Sequence, residues 1–103
     1  MGDARLNLVQ LKLRDYGKVL LTRDQGEPVR DELLLLVNSY DTVEIDLNGV
    51  DAFTPSFIDE ALGKCLEEIG AARFRQQVKL VVASIEHRKL VNLVLKNRAA
   101  NKS

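Results

Sequence analysis

Tryptophan is missing from this chain of 103 residues, and cysteine and histidine occur once each, proline twice. With Cys65 alone no internal disulfide can form, and one Cys with one His falls short of any zinc spacing. Such sparing use of cysteine suits a reducing compartment, so a cytoplasmic location is expected. His87 is the only histidine. It stands beside Arg88 and Lys89 in what reads as the first turn of a helix, an exposed position and not that of a general base, so no Ser-His-Asp triad is expected. The longest apolar run, Leu33 to Val37, has five residues, far short of the roughly 20 that a membrane span needs. The opening MGDARLNLVQLKLRDYG lacks the apolar stretch of a signal peptide. Leu6 stands where a myristoylation signal starting at Gly2 requires Ser or Thr. Net charge is absent too, fifteen basic residues against fifteen acidic ones. That balance draws the chain to neither nucleic acid nor a membrane. Neither G-x-x-x-x-G-K-[ST] nor G-x-G-x-x-G occurs, so no nucleotide and no other cofactor is expected. Nothing supplies an activated nucleophile or a metal site, and the expectation is a protein that is not an enzyme.

What is present is an ordinary globular composition, with 46% hydrophobic and 29% charged residues, in a chain long enough for one domain. A single domain spanning 1–103 is expected, with its ordered core at about 5–98. Arg5 to Leu13 reads as a strand, with Leu6 and Leu8 on one phase and Val9, Leu11 and Leu13 on the other. Such a slip marks a bulge or a strand apolar on both faces. Asp15-Tyr16-Gly17 followed by Lys18 to Thr22 predicts a hairpin. Arg23 to Glu27 reads as a loop and Pro28 as the first turn of a helix to about Tyr40, carrying Val29, Leu33, Leu36 and Val37. Val43, Ile45 and Leu47 alternate with Glu44 and Asp46, the pattern of a half-buried strand. Thr54-Pro55-Ser56 opens a helix whose apolar stripe is Ile58, Ala61, Leu62, Cys65, Leu66 and Ile69. Gly70 stops it, with a further turn through Phe74. Val78, Leu80 and Val82 form the next strand. Ser84 caps a final helix, frayed from Asn97 to Ser103.

The order is therefore β-β-α-β-α-β-α, an α/β fold with right-handed parallel crossovers. Glu44, Asp46 and Lys79 at alternate strand positions imply one sheet face without helices. The expected architecture is a mixed four-stranded sheet with about three helices packed mainly on one face.

Three separated segments carry a family likeness. Thr22, Arg23 and Gly26 precede a helix. Asp46, Gly49 and Val50 end a strand. Pro55, Ser56, Phe57, Asp59 and Glu60 open the next helix. Together with the later strand and Ser84, they make residues 18 to 98 resemble the STAS-like domains, relatives of the sulfate-transporter and anti-sigma-factor-antagonist modules. The fold above is what the resemblance implies. In anti-sigma antagonists the serine of this turn is phosphorylated by a partner kinase that uses ATP, and only the unmodified form holds that kinase. Ser56 falls at that place, although the usual Asp-Ser-Ser-Gly turn reads Thr54-Pro55-Ser56-Phe57 here. The resemblance implies a cytoplasmic regulatory protein-interaction module of bacteria, with Ser56 as candidate phosphorylation site. Its partner would be a histidine-kinase-type ATPase or anti-sigma-like kinase.

The residues allow a surface for that role. Arg23, Phe53, Thr54, Pro55, Ser56, Phe57, Asp59 and Glu60 are the candidate partner contacts, with an exposed Phe53 or Phe57 as the apolar anchor interfaces favour. Phosphate at a helix N-terminus meets unpaired N–H groups and the helix dipole, while Asp51, Asp59 and Glu60 would oppose it. The plainer alternative makes Ser56 with Asp59 a capping box, Thr54 being the competing cap. For Arg23 and Gly26 the plainer alternative is turn chemistry, with Gly26 freeing the backbone and Arg23 pairing with a nearby carboxylate. Cys65 reads as core, and Asp46 as a strand-end residue bonding to the next turn. Asp59 and Glu60, adjacent on a helix, should point apart. Residues 41–60 hold six acidic and no basic residues, and the last helix is basic. This contrast is either charge-guided docking or ordinary solvated termini. Rival functions are a constitutive oligomerising subunit, a homodimer for example, and a DNA-associated regulator using Arg88, Lys89, Lys96 and Arg98. The neutral total disfavours nucleic acid.

Overall fold

The computed structural model describes residues 6–101; Arg5, Lys102 and Ser103, which figure in the expectations above, lie outside the described residues. The central strand is the alternating one. In β3 (Tyr40–Asp46), Val43 and Ile45 face inward and are wholly buried. Glu44 faces the other way, in register with Gln10 on one neighbour and Lys79 on the other. Those neighbours are β1 (Leu6–Lys12) and β5 (Val78–Val81), both parallel to β3, in the order β1-β3-β5. Leu11 and Val78 join Val43 and Ile45 on the buried face. Gln10 and Lys79 on the opposite face are exposed, so the open polar face predicted from Glu44, Asp46 and Lys79 is there at the first and last of these, whereas Asp46 at the strand end is buried. β1 contains no bulge in its register from Leu8 to Lys12. It is apolar on both sides, and Leu8 is left 52% exposed on the open face.

The first connection departs from expectation. Leu13 keeps the inward phase of Leu11 and is drawn fully into the core. The chain therefore leaves β1 through a 3-10 turn (Leu13–Tyr16) closed by Gly17, whose N–H donates to the Arg14 carbonyl at 3.2 Å. The short β2 (Val19–Leu20) does not fold back on β1 as a hairpin. It pairs in parallel with β4 (Ala52–Phe53), a strand too short to show alternation. Among the described residues the result is five strands in two parallel sheets, in place of one mixed four-stranded sheet.

The first helix, α1 (Arg23–Ser39), begins five residues before Pro28. Thr22 and Gln25 form a reciprocal capping box. The Gln25 N–H donates to Thr22 Oγ1 at 3.2 Å, and the Thr22 N–H donates to Gln25 Oε1 at 3.1 Å. Those bonds satisfy orphan groups of the first turn and outweigh the pull of Pro28 toward the start. Pro28 sits in the second turn, where its missing N–H would have met the Asp24 carbonyl. Both residues are exposed, so water can serve that oxygen. Val29, Leu33 and Val37 form the buried stripe.

The second helical run is built from α2 (Pro55–Ile58), a π-turn (Asp59–Gly63) and α3 (Lys64–Ile69). Ile58, Asp59, Gly63 and Lys64 all keep right-handed helical backbone, so the three pieces are continuous. Gly70, at φ +95, ends the run. The further turn is a full helix, α4 (Ala71–Gln77). Its buried Gln77 donates to the Val37 and Tyr40 carbonyls at 2.9 and 3.1 Å. Ser84 caps α5 (Ile85–Asn101) as expected, its Oγ accepting from the His87 N–H at 3.2 Å. Residues 97–101, expected to fray, are helical because Arg98 is anchored across the fold, as shown below. Phe57, Ile58, Leu62, Cys65 and Val91 complete the core between the helices and the inner face of the sheet. Among the described residues no helix is long and apolar enough to cross a membrane.

Candidate functional site

Parallel pairing of β2 with β4 sets two helix starts side by side. Leu20 is in register with Phe53, and the Thr54 N–H donates to the Leu20 carbonyl at 3.2 Å. The Thr54 hydroxyl donates to the Leu21 carbonyl at 2.6 Å and accepts from the Phe57 N–H at 3.2 Å. Thr22 and Thr54 share one extended conformation, φ −112 in both. Each is the N-cap of its helix. Thr54 is therefore the cap, and the capping box from Ser56 to Asp59 is not formed. Pro55 explains the choice, since its fixed φ and absent N–H suit the first helical position and leave the residue before it as cap. Ser56 falls one residue further on, and it is exposed.

The turn after Ser56 concentrates charge. Arg98 grips Asp59 with a fork, Nε donating to Oδ1 at 2.9 Å and Nη2 to Oδ2. Arg23 Nη1 donates to the same Oδ2 at 2.9 Å. Glu60, its side chain 3% exposed, receives Arg30 Nη1 on Oε2 and Lys64 Nζ on Oε1 at 3.0 Å. Arg23 reaches it as well, at 3.6 Å. Arg98 Nη1 also donates to Glu67 at 3.1 Å. Asp59 and Glu60 thus share Arg23 and do not point to separate surroundings. The wider π-turn narrows the angle between successive side chains. Gly63 makes room for the fork, because a Cβ there would lie 2.7 Å from Asp59 Oδ1 and 3.6 Å from Arg98 Cγ. The hydrogen bonds from Arg98 hold the Asp59 carboxyl below its ordinary range against the opposing effect of burial, and Arg23 adds to them. The same bond raises Arg98.

Ser56 opens onto a cleft of about 490 Å³ walled by Arg23, Pro55, Asp59, Val94 and Arg98. Of the residues expected to meet a partner, Arg23, Pro55 and Ser56 are exposed. Asp59 is half-buried in its ion pairs, and Thr54 has its hydroxyl committed. Phe57 is wholly buried and Glu60 nearly so, so neither serves as a surface contact. Phe57 lies on the inward side of the first turn and fills the core; Glu60 is consumed by three cations. Phe53 is half-buried with its ring edge against His87, centroids 4.7 Å apart. His87 is accordingly half-buried and not exposed. Gly26 is no loop glycine. It is buried within α1, where a Cβ would stand 2.9 Å from Glu60 Cβ and 3.0 Å from the Phe57 carbonyl. Asp46 bonds to the following turn as expected, Oδ1 accepting from the Asn48 N–H at 2.9 Å. Cys65 is core, and burial pushes its thiol up to about 12. No cluster of His, Cys, Asp and Glu among the described residues could hold a metal ion.

Sequence reasoning missed Arg30, Lys64 and Arg98 at this site. Lys64 had a readable signal, four residues after Glu60 on a helix. Arg98 had none, being 39 residues from Asp59.

A family model described as a STAS-like domain of unknown function matches residues 25–86. The chain belongs to this family. No curated protein and no solved structure matches it. Within the STAS-like domain the match takes in α1 except its first two residues, the strand end at Asp46, the whole charged π-turn and the start of α5. Arg23 and Arg98, which close the cleft from either side, lie outside the matched segment, two residues before it and twelve after it.

Proposed function

We propose that this STAS-like domain is a non-catalytic regulatory module whose Ser56 cleft is read by a protein partner, with phosphorylation of Ser56 as the switch. The observation that carries the reading is the exposed Ser56 side chain in the first turn of a helix, on a cleft that also presents Arg23 and Arg98. A phosphate there adds about −1.5 to −2 charges. Of the three carboxylates expected to repel it, Asp59 and Glu60 are already neutralised, whereas Asp51 is exposed and keeps its charge. Asp31, Asp59, Glu60 and Glu67 are matched in one network by Arg23, Arg30, Lys64 and Arg98. Arg23 is the residue free to respond. Its side chain is 50% exposed, against 22% for Arg98, so the new anion would draw Arg23 from Asp59 while the Arg98 fork holds. The partner would then meet a different charge and shape at Pro55 and Ser56.

The test uses a histidine-kinase-type ATPase as the candidate partner kinase. Incubation with ATP and phosphopeptide mapping should place a single phosphate on Ser56. Ser56→Asp should weaken the complex at least tenfold in calorimetry without changing the far-UV spectrum. Phosphate on another residue only, or an unchanged affinity for Ser56→Asp, would overturn the proposal. The second reading is a constitutive homodimer, favoured by the exposed Leu8 on the open sheet face. Light scattering that returns a dimer at all concentrations, unaffected by Ser56→Asp, would select it.

A further inference from the structure

Two groups of cations in this domain are disposed in opposite ways. Arg23, Arg30, Lys64 and Arg98 are all committed to carboxylates. A second group surrounds an apolar groove of about 420 Å³ between α4, β5 and α5, away from Ser56. Its floor is Leu66, Phe74 and Val78, buried, and its walls are the half-buried Leu80, Leu95 and Ala99. Its charged lining residues are Arg75, Lys79, Arg88 and Lys96, every one basic and exposed. None of the four is ion-paired among the described residues. Lys79 Nζ donates to the Arg75 carbonyl at 3.0 Å, and Arg88 reaches the Leu80 carbonyl at 3.5 Å. Both bonds are to backbone oxygens and leave the charges uncompensated.

We propose that this groove docks an amphipathic helical segment of a partner protein, its apolar face seated on Leu80, Leu95 and Ala99 and its acidic flanks on the four cations. Charge complementarity selects the occupant. Arg88 and Lys96 are eight residues apart on α5, about 12 Å along the helix at 1.5 Å per residue. Arg75 and Lys79 stand on the opposite bank. Carboxylates spread over about two turns of helix can meet both banks, whereas the single head of an anionic lipid would satisfy one cation and strand the rest. Apolar anchors on a helix, flanked by acidic residues, are a recurring mode of groove recognition. Phosphodiester strands fit less well, because the floor offers no exposed aromatic ring for bases to stack on.

The test is selection from a displayed library of 16-residue helical peptides (a length of about four turns) with a fixed leucine stripe and flanks randomised among Glu, Lys, Gln and Ser. The intact domain should enrich Glu flanks. The best selected peptide should shift amide resonances in 74–80 and 88–99, and lose at least tenfold in affinity against Lys79→Glu/Lys96→Glu, both surface positions. Ser56→Asp should leave that affinity unchanged, which separates this proposal from the one on Ser56. Flanks without acidic bias, equal binding by the double variant, or shifts confined to the Ser56 cleft would overturn it. So would binding of decanoate or a DNA duplex to these residues with no peptide enriched, since those outcomes assign the groove to a lipid or to nucleic acid.

Discussion

Gly26 offers the sharpest test of how the fold is held together. Within an exposed helix, Gly→Ala stabilises by about 1 kcal/mol, because the backbone loses less freedom on folding. Here the new methyl would stand 2.9 Å from Glu60 Cβ, 3.0 Å from the Phe57 carbonyl oxygen and 3.2 Å from the Ala61 nitrogen. Carbon atoms prefer about 3.5–4.0 Å, and two of the three neighbours are backbone that no rotamer change can move. Relief requires α1 to back away from the run Pro55–Gly63 along the line of closest approach. Overpacking of this kind costs about 1–3 kcal/mol, and rigid neighbours put it at the upper end. Against the propensity gain, Gly26→Ala should destabilise by about 2 kcal/mol. For a chain of this size that lowers Tm by about 8–16 °C. With an m-value of about 1–3 kcal/mol per molar urea, the midpoint should fall by about 1 M. Thermal and urea melts followed by circular dichroism read both. A variant as stable as the parent, or more so, would refute the close helix contact and restore Gly26 to a loop.

Two further substitutions probe the charged turn and the core. Asp59→Asn removes a carboxylate gripped by the Arg98 fork. Since both side chains are mostly buried and Arg98 retains Glu67, the expected loss near pH 7 is about 1–2 kcal/mol. Asp59 is held below its ordinary range in the fold. The stability it adds is therefore present above the unfolded value of about 3.9 and disappears as pH falls through the lower folded value. The gap between parent and variant should close in melts taken on acidification; a gap unchanged at about pH 2.5 would refute the ion-pair account. Cys65, its thiol pushed up to about 12, should resist iodoacetamide at about pH 8 in the folded state and react at the rate of global opening. Rapid labelling of native protein would show that the core around it is looser than the packing implies.

Much of the fold was legible because its elements state their period locally. Val43, Ile45 and Leu47 alternate, Val29, Leu33 and Val37 recur at helical spacing, and Gly70 and Ser84 punctuate helices where they stand in the structure. The hairpin failed for a physical reason. Asp15-Tyr16-Gly17 does signal a turn, but turn chemistry does not say whether the next strand runs back along the last one or leaves for another partner. That choice was made by Leu13, pulled into the core, and by a two-residue strand that finds Ala52 and Phe53 more than thirty residues later. The start of α1 is readable in the sequence. Thr22 and Gln25 have the spacing of a capping box, although Pro28 is the more conspicuous start signal.

The site was legible in outline and not in its wiring. Ser56 and Arg23 could be singled out from their segments, and parallel pairing of β2 with β4 is what makes them neighbours. Phe57 precedes the π-turn and is buried by its place on the inward side of the first helical turn, whereas Glu60 stands within the π-turn, and nothing in Asp59-Glu60-Ala61-Leu62-Gly63 announces one. Gly63 is the nearest thing to a signal. Its missing Cβ is where the Asp59 carboxylate lies, and Arg98 arrives there from the far end of the chain. That long-range fork is also why the last turns of α5 persist. It gives the helix two working sides, one closing on the Ser56 cleft through Val94 and Arg98, the other bordering the basic groove through Arg88, Leu95 and Lys96. A contrast that in the sequence is merely an acidic stretch facing a basic tail thereby resolves into two separate uses of charge. Cations paired inside the molecule fix its shape, and unpaired ones on the same helix remain available to another.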